Sequence, residues 1–491
     1  MGKYLKKFET HTQYEAFTAT TEFIKPNVSI CIDTPSEVHY NPLRCEETSE
    51  YEVIGEPSYP SEIEGDATSF EMTVNYQRTD TNIYCQETVT EGTDTVTVEI
   101  GQNPSTSSTR TVTGTVDYYG NEIEYSVTQS KMVYKVTAKF NVTDTSNRTR
   151  IANDTGSLSS IEIDGEQTSV TTGYTFDTTG EHTIKYVLRG AAIGDQTFIQ
   201  CSGITSCTIG NGVTSIGSSV FSQCSGLTSI DIPSGVTSIG SDAFAYCSSL
   251  TSIEIPDSVT SIGMSAFRYC SGLTSITIPD SVTSIGSSVF ANCSGLTSVT
   301  IGTGLTSIND YTFSGCSSLT SIDIPDSVTN IGGQAFMSCS GLTSITIPDS
   351  VTSIGVQAFA YCSSLTSIEI PDSVTSIGSS VFEVCIRLTS ITIPDSVTSI
   401  NYGAFIGCTS LTSIEIPDSV TSISDYAFQG CTSLTSIVSN AMTAPTIQSC
   451  TFQYVKTSGT LTVPSGSSGY DVWMGAGNYY LGKYNWTKVE Q

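Results

Sequence analysis

The chain has 491 residues, room for about three domains at roughly 150 residues each. Its 48 Asp and Glu against 19 Lys and Arg leave a formal net charge of −29, which argues against a nucleic-acid partner, because phosphate backbones are held by a Lys/Arg footprint. No apolar run reaches the ~18 residues of a membrane-spanning helix, so no membrane insertion is expected.

Residues 1–55 open with Lys3, Lys6 and Lys7 but show neither the apolar stretch nor the small-residue cleavage site of a secretory signal. Three settings stay open: the chain acts where it is made, leaves the cell within an assembly, or has been separated from a leader. Leu5, Phe8, Tyr14 and Phe17 give residues 4–23 a loosely helical spacing that Lys25-Pro26 ends. The segment is too small for a core of its own. Its strings Phe23-Ile-Lys-Pro-Asn-Val-Ser29 and Val38-His-Tyr-Asn-Pro42 resemble the leading segment of gut-phage and prophage structural proteins. That resemblance implies an attachment segment docking onto virion proteins.

Residues 56–131 alternate polar and apolar side chains, as in Ser69-Phe-Glu-Met-Thr-Val74, Thr95-Val-Thr-Val-Glu-Ile100 and Glu122-Ile-Glu-Tyr-Ser-Val127. Several such strands between Gly, Asn and Pro turns predict a β-sandwich. The closing part, Arg110-Thr-Val-Thr-Gly-Thr-Val116 with Tyr125-Ser-Val-Thr-Gln129, resembles a BACON domain, an immunoglobulin-like module of gut Bacteroidales and their phages. The family name implies carbohydrate binding, although Tyr84 stands near where many members carry Trp. Residues 132–190 again read as strands, with Asp164-Gly165 as a hairpin turn. They form a small β-domain or the N-terminal cap of a repeat region that begins at about residue 191.

Across residues 191–440 one unit recurs without insertion or deletion. Cys stands at 201, 224, 247 and every 23rd residue to 431, and Phe three residues before each, from 198 to 428. A fixed period of this size is the mark of a solenoid, whose units bury their apolar faces only by stacking. In one unit these faces are Ile239, Ala243, Phe244, Cys247, Leu250, Ile253, Ile255 and Val259. Leu-Thr-Ser-Ile-Glu-Ile predicts a short strand stopped by Pro256, where a ladder N–H would be missing. Pro-Asp-Ser turns the chain, Val-Thr-Ser-Ile is a second extended piece, and Ala-Phe-x-x-Cys has the spacing of one helical or 3₁₀ turn.

The unit Leu-x-x-Ile-x-Ile-Pro-x-x-Val-x-x-Ile-Gly-x-x-Ala-Phe-x-x-Cys resembles the BspA-like, or treponemal-type, leucine-rich repeat. Departures are few: Gly302-Thr303-Gly304 replaces Pro-Asp-Ser, Asn309 and Asn401 replace Gly, and Ile386-Arg387 replaces a small polar pair. The fold class is therefore mainly β: a leucine-rich-repeat solenoid preceded by one or two immunoglobulin-like β-sandwich domains. A column of eleven evenly spaced Cys cannot pair completely, so free thiols in the core are expected rather than disulfides. A metal array is the alternative, but no His or second Cys lies nearby in the unit. Residues 441–491 depart from the repeat and carry both Trp of the chain, at 473 and 486. They read as a terminal cap in which large aromatics plug the open core; a sugar-stacking platform is the other reading.

Chemistry is sparse. The three His, at 11, 39 and 182, lie in no hydrolase, metalloprotease or kinase motif. His11, Cys31, His39 and Cys45 lack a recurring zinc spacing. No enzyme, cofactor or metal is expected, unless a pocket brings His182 against a carboxylate. What remains is surface. The outward strand column is mixed Thr and acid, with Asp231, Glu254, Asp323, Glu369 and Glu415 as its carboxylates, and residues 191–440 hold 17 acidic residues against two Arg and no Lys. This face reads as a cation or basic-ligand site, or simply as charge that keeps the solenoid soluble and unpaired. The interruptions weigh against an ice-binding Thr array. Real variety occurs only beside the Ala-Phe turn, at Tyr246, Met264, Arg268, Tyr269, Tyr311, Tyr361, Tyr402 and Tyr426. Tyr and Arg dominate binding hot spots, so these are the candidate ligand contacts. The expected protein is a non-enzymatic adhesion or display protein: a phage virion fibre or decoration protein that contacts a host surface protein or glycan, with a homo-oligomer allowed. The alternatives are a bacterial cell-surface adhesin and a cytoplasmic interaction scaffold.

Overall fold

The computed structural model describes residues 133–491 except 478, and before them residues 5–8, 29–32, 48–53, 57–60, 62–63, 69–81, 87–99, 110–119 and 121–129. Its contacts gather into two units, 1–133 and 134–491.

In the first unit, Leu5–Phe8 is a strand paired in parallel with Ser29–Ile32. The helical spacing read across residues 4–23 is thus wrong at these four residues, where a partner strand overrides a weak propensity; the rest of that stretch lies outside the described residues. Thr48–Val53, Ser69–Thr81 and Glu87–Glu99 form one antiparallel sheet. Glu62–Ile63, Asn121–Gln129 and Arg110–Tyr118 form another. Alternate residues Phe70, Met72 and Val74 of the first sheet, with Val98, share a buried cluster with Ile123 and Val127 of the second, because period-two side chains put one face of each sheet inward. The ring of Tyr125 meets Phe70 edge-on at 5.3 Å.

The second unit begins as a small antiparallel sheet and becomes a solenoid without a break in its hydrogen bonding. One six-stranded sheet runs, in order, Glu166–Thr168, Leu158–Ile163, Gly180–Leu188, Lys135–Val142, Ile204–Ile209 and Ser229–Asp231. Lys135–Val142 is antiparallel to Ile204–Ile209, and from there on pairing is parallel. A solenoid's first turn would otherwise present bare ladder groups; here Lys135–Val142 covers them. Asp164 (φ 52) and Gly165 (φ 91) form the two-residue loop of the hairpin between Leu158–Ile163 and Glu166–Thr168, the left-handed pair that such a tight turn demands.

The solenoid has about 13 turns. On one side the Leu-x-x-Ile-x-Ile segments lie parallel, as Ser275–Ile278 on Ser298–Ile301; elsewhere this ladder thins to single bridges such as Asp323 to Thr346. On a second side Ser-Ile pairs form a thin ladder, Ser238–Ile239 to Ser261–Ile262 to Ser284–Ile285. Between them the Phe rings stack turn upon turn at 5.3 to 5.9 Å, with nearly parallel planes in the middle of the column. Tyr186 starts the column against Phe198 and Trp473 ends it against Phe452.

Each monotonous column has a structural cause. Thr228 Oγ1 donates to Thr205 O at 2.8 Å and Thr297 Oγ1 to Thr274 O at 3.0 Å, so each hydroxyl ties its turn to the one before. The Ser of Pro-Asp-Ser does the same, as Ser281 Oγ to Val259 O at 2.9 Å. The periodic cysteines are free and buried, and from Cys224 to Cys431 each thiol donates to the Phe carbonyl of the previous turn, as Cys339 Sγ to Phe313 O at 3.1 Å. Cys is therefore a compact apolar filler that also carries a weak donor. Where Gly follows Ile the backbones of adjacent turns approach closely: a Cβ on Gly263 would lie 2.4 Å from Ser241 N.

The third side departs from expectation. Ala-Phe-x-x-Cys is no helical turn. Phe244 N donates to Ala266 O of the next turn at 2.7 Å, and Asp242 N and Tyr246 N donate forward to Met264 O and Arg268 O. Asp242 and Tyr246 take φ of 53 and 62, a left-handed geometry that turns their N–H groups along the stack. A helix would aim those donors back along its own chain. Here the neighbouring turn supplies the acceptors, and only i to i+3 bonds such as Cys247 N to Phe244 O remain local.

Beyond the last regular repeat, Thr460–Val463 and Thr487–Glu490 extend the strand side. Trp473 and Trp486 are buried, and their Nε1 groups donate to Pro445 O at 3.0 Å and Lys456 O at 2.9 Å. The Trp rings therefore close the core, with their one polar atom satisfied in each case.

Candidate functional site

The third side forms an edge with four side-chain positions per turn, in the pattern Ile-Gly-first-second-Ala-Phe-third-fourth-Cys. Ala, Phe and Cys face inward; of the four numbered positions the third is buried or half-buried in every turn, as at Ala245 and Arg268, and exposed side chains occur at the first, second and fourth. The second and fourth are the left-handed ones, occupied along the stack by Gln, Ser, Asp, Tyr, Asn, Val and Gly. Because all turns share one backbone path, residues in the same position stack above one another.

All eight edge candidates lie here. Met264 and Tyr402 are at first positions, Tyr311 and Tyr426 at second, Arg268 at a third, and Tyr246, Tyr269 and Tyr361 at fourth. Tyr246 is 45% exposed and stacks on Tyr269 with ring centroids 4.6 Å apart and planes 15° from parallel. Arg268 lies over the Tyr269 ring at 5.0 Å, and its buried Nε has no hydrogen-bond partner. Burial pushes the Asp242 carboxyl up while the nearby Arg268 pulls it back down. Tyr402 and Tyr426 meet edge-on at 5.4 Å. Tyr311, Tyr402 and Met264 stand exposed.

The edge also holds partners that residue type alone did not single out. Tyr361 OH donates to Glu383 Oε1 at 3.0 Å, a bond that raises the phenol pKa. Gln334 Nε2 donates to Gln357 Oε1 at 2.7 Å, and Gln357 Nε2 to Glu383 Oε2 at 3.1 Å. Tyr454 and Tyr479 continue the edge at the C-terminal end, where Lys483 sits 4.0 Å over the Tyr479 ring. The signal for Gln334, Gln357 and Glu383 was present in the sequence: they occupy the same four positions as the candidates. First-position Asp195 and Asp310 instead accept the N–H of the next turn's first residue, Ser218 and Gly333, and Asp425 that of Cys450, each at 2.7 Å, a structural duty.

The strand-face carboxylates Asp231, Glu254, Asp323, Glu369 and Glu415 are all exposed. Asp231 accepts from Thr208 at 3.3 Å and Glu415 from Asn440 at 2.9 Å. Two open grooves cross this face, one of about 600 Å³ lined in part by Glu254, Asp257 and Asp280, the other of about 490 Å³ by Asp326, Asp349 and Glu369. Among the described residues no group of three or more His, Cys, Asp or Glu side chains is arranged to hold a metal ion.

His182 does meet a carboxylate. Its Nδ1 lies 2.6 Å from Asp164 Oδ2, and its Nε2 lies 3.0 Å from Thr178 O. Its Nε2 also lies 3.4 Å from the Thr178 hydroxyl, so the ring is held between the Asp164 carboxylate and the backbone and side chain of Thr178. The ring is packed at 4.4 Å against Phe176. The pair ties the hairpin loop at Asp164 to the strand Gly180–Leu188.

Residues 148–471 match, in stretches 148–274, 191–308, 260–389 and 375–471, the family described as BspA type leucine rich repeat region. No curated protein matches the sequence. Among solved structures, a leucine-rich repeat protein from Bacteroides ovatus is 27% identical over 65% of this chain and 90% of its own, with a TM-score of 0.46. A leucine rich cell surface protein from Faecalibacterium prausnitzii is 32% identical over 59% of this chain and 94% of its own, with a TM-score of 0.36. The leucine rich repeat protein of T. pallidum is 28% identical over 35% and 71%, with a TM-score of 0.28.

Proposed function

The chain belongs to the BspA type leucine-rich-repeat family, and on that premise we propose that it is a non-enzymatic adhesion and display protein whose solenoid edge binds the ligand. The observation that carries this reading is the division of labour among columns. Thr, Ser, Cys, Gly and Phe columns each serve the stack, whereas the four edge positions change identity from turn to turn and gather the exposed aromatics. Rigid rings on a rigid ladder lose little entropy on binding, which favours them as contacts. The strand face, a mixed column of Thr and acidic residues with a net negative charge, supplies repulsion of anionic surfaces.

The N-terminal segment then mounts the protein, and residues 56–131 act as a BACON-like spacer. The resemblance of residues 23–42 to phage structural segments favours a virion fibre or decoration protein; a bacterial cell-surface adhesin uses the same edge on a different mount. Fluorescently labelled full-length protein is tested on intact gut Bacteroidales cells and on mucin-coated surfaces, beside a variant carrying Tyr246→Asn, Tyr269→Asn and Tyr361→Asn. Asn already stands at this position as Asn292, at φ 61, so the fold is retained. Binding that falls at least tenfold supports the reading, and equal binding by the variant overturns it.

A further inference from the structure

The turns of the solenoid are not equally joined. On the Ser-Ile side most joints carry two backbone bonds, as Thr352 N to Thr329 O at 2.9 Å and Gly355 N to Ile331 O at 2.8 Å. Among the described residues two joints lack both. At the first, Asn309 stands where the repeat has Gly, and its Nδ2 donates to Ile285 O at 2.6 Å in their place. At the second, between residues 352–355 and 375–378, Thr375 N and Gly378 N reach no carbonyl of the turn before. The Thr375 hydroxyl also lacks the backward bond that Thr352 Oγ1 makes to Thr329 O. Ser373 Oγ still donates to Val351 O, so the gap begins just beyond the Pro-Asp-Ser turn.

Three further observations mark the same joint. The step from Phe359 to Phe382 is 5.9 Å, the widest in the ring column. A Cβ on Gly378 would meet nothing closer than 3.1 Å, against 2.4 Å for one on Gly355, so the two backbones stand further apart here. Ile354, Ile370, Val374, Ile377, Val381 and Phe382 line an apolar gap too narrow for water, and side chains facing such a gap forgo dispersion contacts.

The edge closes what the Ser-Ile side leaves open. Gln357 N, Phe359 N and Tyr361 N donate forward across the joint to Ser379 O, Val381 O and Glu383 O at 3.0, 3.0 and 2.7 Å. Glu383, the only carboxylate at a third position, accepts Tyr361 OH on one oxygen and Gln357 Nε2 on the other. We propose that this joint is a built-in hinge: the solenoid opens first between these two turns, swinging about the edge, and Glu383 is the strap that holds it shut. A stack whose turns bind only their neighbours parts at its weakest interface, and such openings occur within the folded state.

The periodic thiols report on the joints one by one. Cys385 Sγ donates to Phe359 O across this joint at 3.2 Å, whereas Cys362 and Cys408 span the joints on either side. The full chain is incubated with iodoacetamide in sub-denaturing urea, and modification is followed cysteine by cysteine by mass spectrometry. Cys385 should react roughly tenfold faster than Cys362 and Cys408, though far behind the half-buried Cys450. Glu383→Ala should speed Cys385 roughly threefold more, and Glu383→Gln, which keeps an acceptor for Tyr361, by less. Neither should alter Cys247 or Cys293. Equal rates at Cys362, Cys385 and Cys408 would overturn the hinge, as would rates that climb steadily to Cys431 or a Cys385 rate indifferent to Glu383→Ala. Circular dichroism checks that the variants fold; if Glu383→Ala does not, the order of the three rates in the unaltered chain decides alone.

Discussion

The thiol ladder makes a demanding prediction. Cys224, Cys293, Cys339, Cys385 and Cys431 are buried, and burial pushes their pKa up to about 12; the neighbouring thiols are pushed up as well. At pH 8 a group of pKa about 12 is thiolate in only about one molecule in 10⁴, against about one in four for an ordinary thiol of pKa ~8.5. Alkylation is therefore slowed more than a thousandfold by ionisation alone, before the solenoid must open to admit the reagent. Cys450 differs, being only half-buried. Treating the native protein with iodoacetamide and mapping peptides by mass spectrometry should find Cys450 modified and Cys201 through Cys431 untouched, and in denaturant all should react. Periodic cysteines that label as fast as Cys450 in the folded protein would refute the buried ladder. Resistance that persists after unfolding without reductant would refute the free thiols.

Three further outcomes follow from the packing. Phe336→Ala removes a fully buried ring stacked at 5.6 and 5.5 Å between its neighbours and should cost about 3 to 5 kcal/mol in urea unfolding, with amide exchange rising first in the adjoining turns because a solenoid turn depends on its nearest neighbours. Gly407, at φ 73, occupies the same fourth position as Tyr361 at φ 63; Gly407→Ala should cost about 1 to 2 kcal/mol, whereas Tyr361→Gly should leave the melting temperature nearly unchanged. His182, 10% exposed against Asp164, has its pKa raised chiefly by that hydrogen bond, and Asp164 has its own lowered. The His182 contribution is complete below the unfolded pKa of ~6.5 and disappears as pH rises through the raised folded value. Asp164 contributes above its ordinary carboxylate value and is lost as pH falls through its lowered one. The melting temperature of the cap should thus decline from pH 6 to 8, and His182→Asn should flatten that decline.

The solenoid was legible because one period fixes everything that repeats. Phe244, Cys247, Leu250 and Ile253 announce their burial by recurring, and the outward column of Glu254 follows from strand alternation. The third side was misread for a specific reason: Ala-Phe-x-x-Cys has helical spacing, but its donors go to the next turn, and nothing in a single unit signals that Asp242 and Tyr246 sit at positive φ. Side-chain ladders were equally hidden, since Thr228 to Thr205 O and Cys339 to Phe313 O join residues more than twenty positions apart. His182 and Asp164 could be seen as candidates for contact only once the hairpin register had set them opposite one another. Variety at the edge was visible in the sequence; the stacking of Tyr246 on Tyr269 and the bond from Tyr361 to Glu383 were not.

The central claim is that the edge, not the strand face, meets the ligand. Hydrogen–deuterium exchange of the full chain, with and without the bound surface glycan or mucin fraction, measures this directly. The account predicts slowed exchange in the edge segments 241–247, 264–270, 310–316, 356–362 and 402–408, with the strand segments 252–257, 275–280 and 344–349 unchanged. Protection confined to those strand segments, with the edge unaffected, would contradict it.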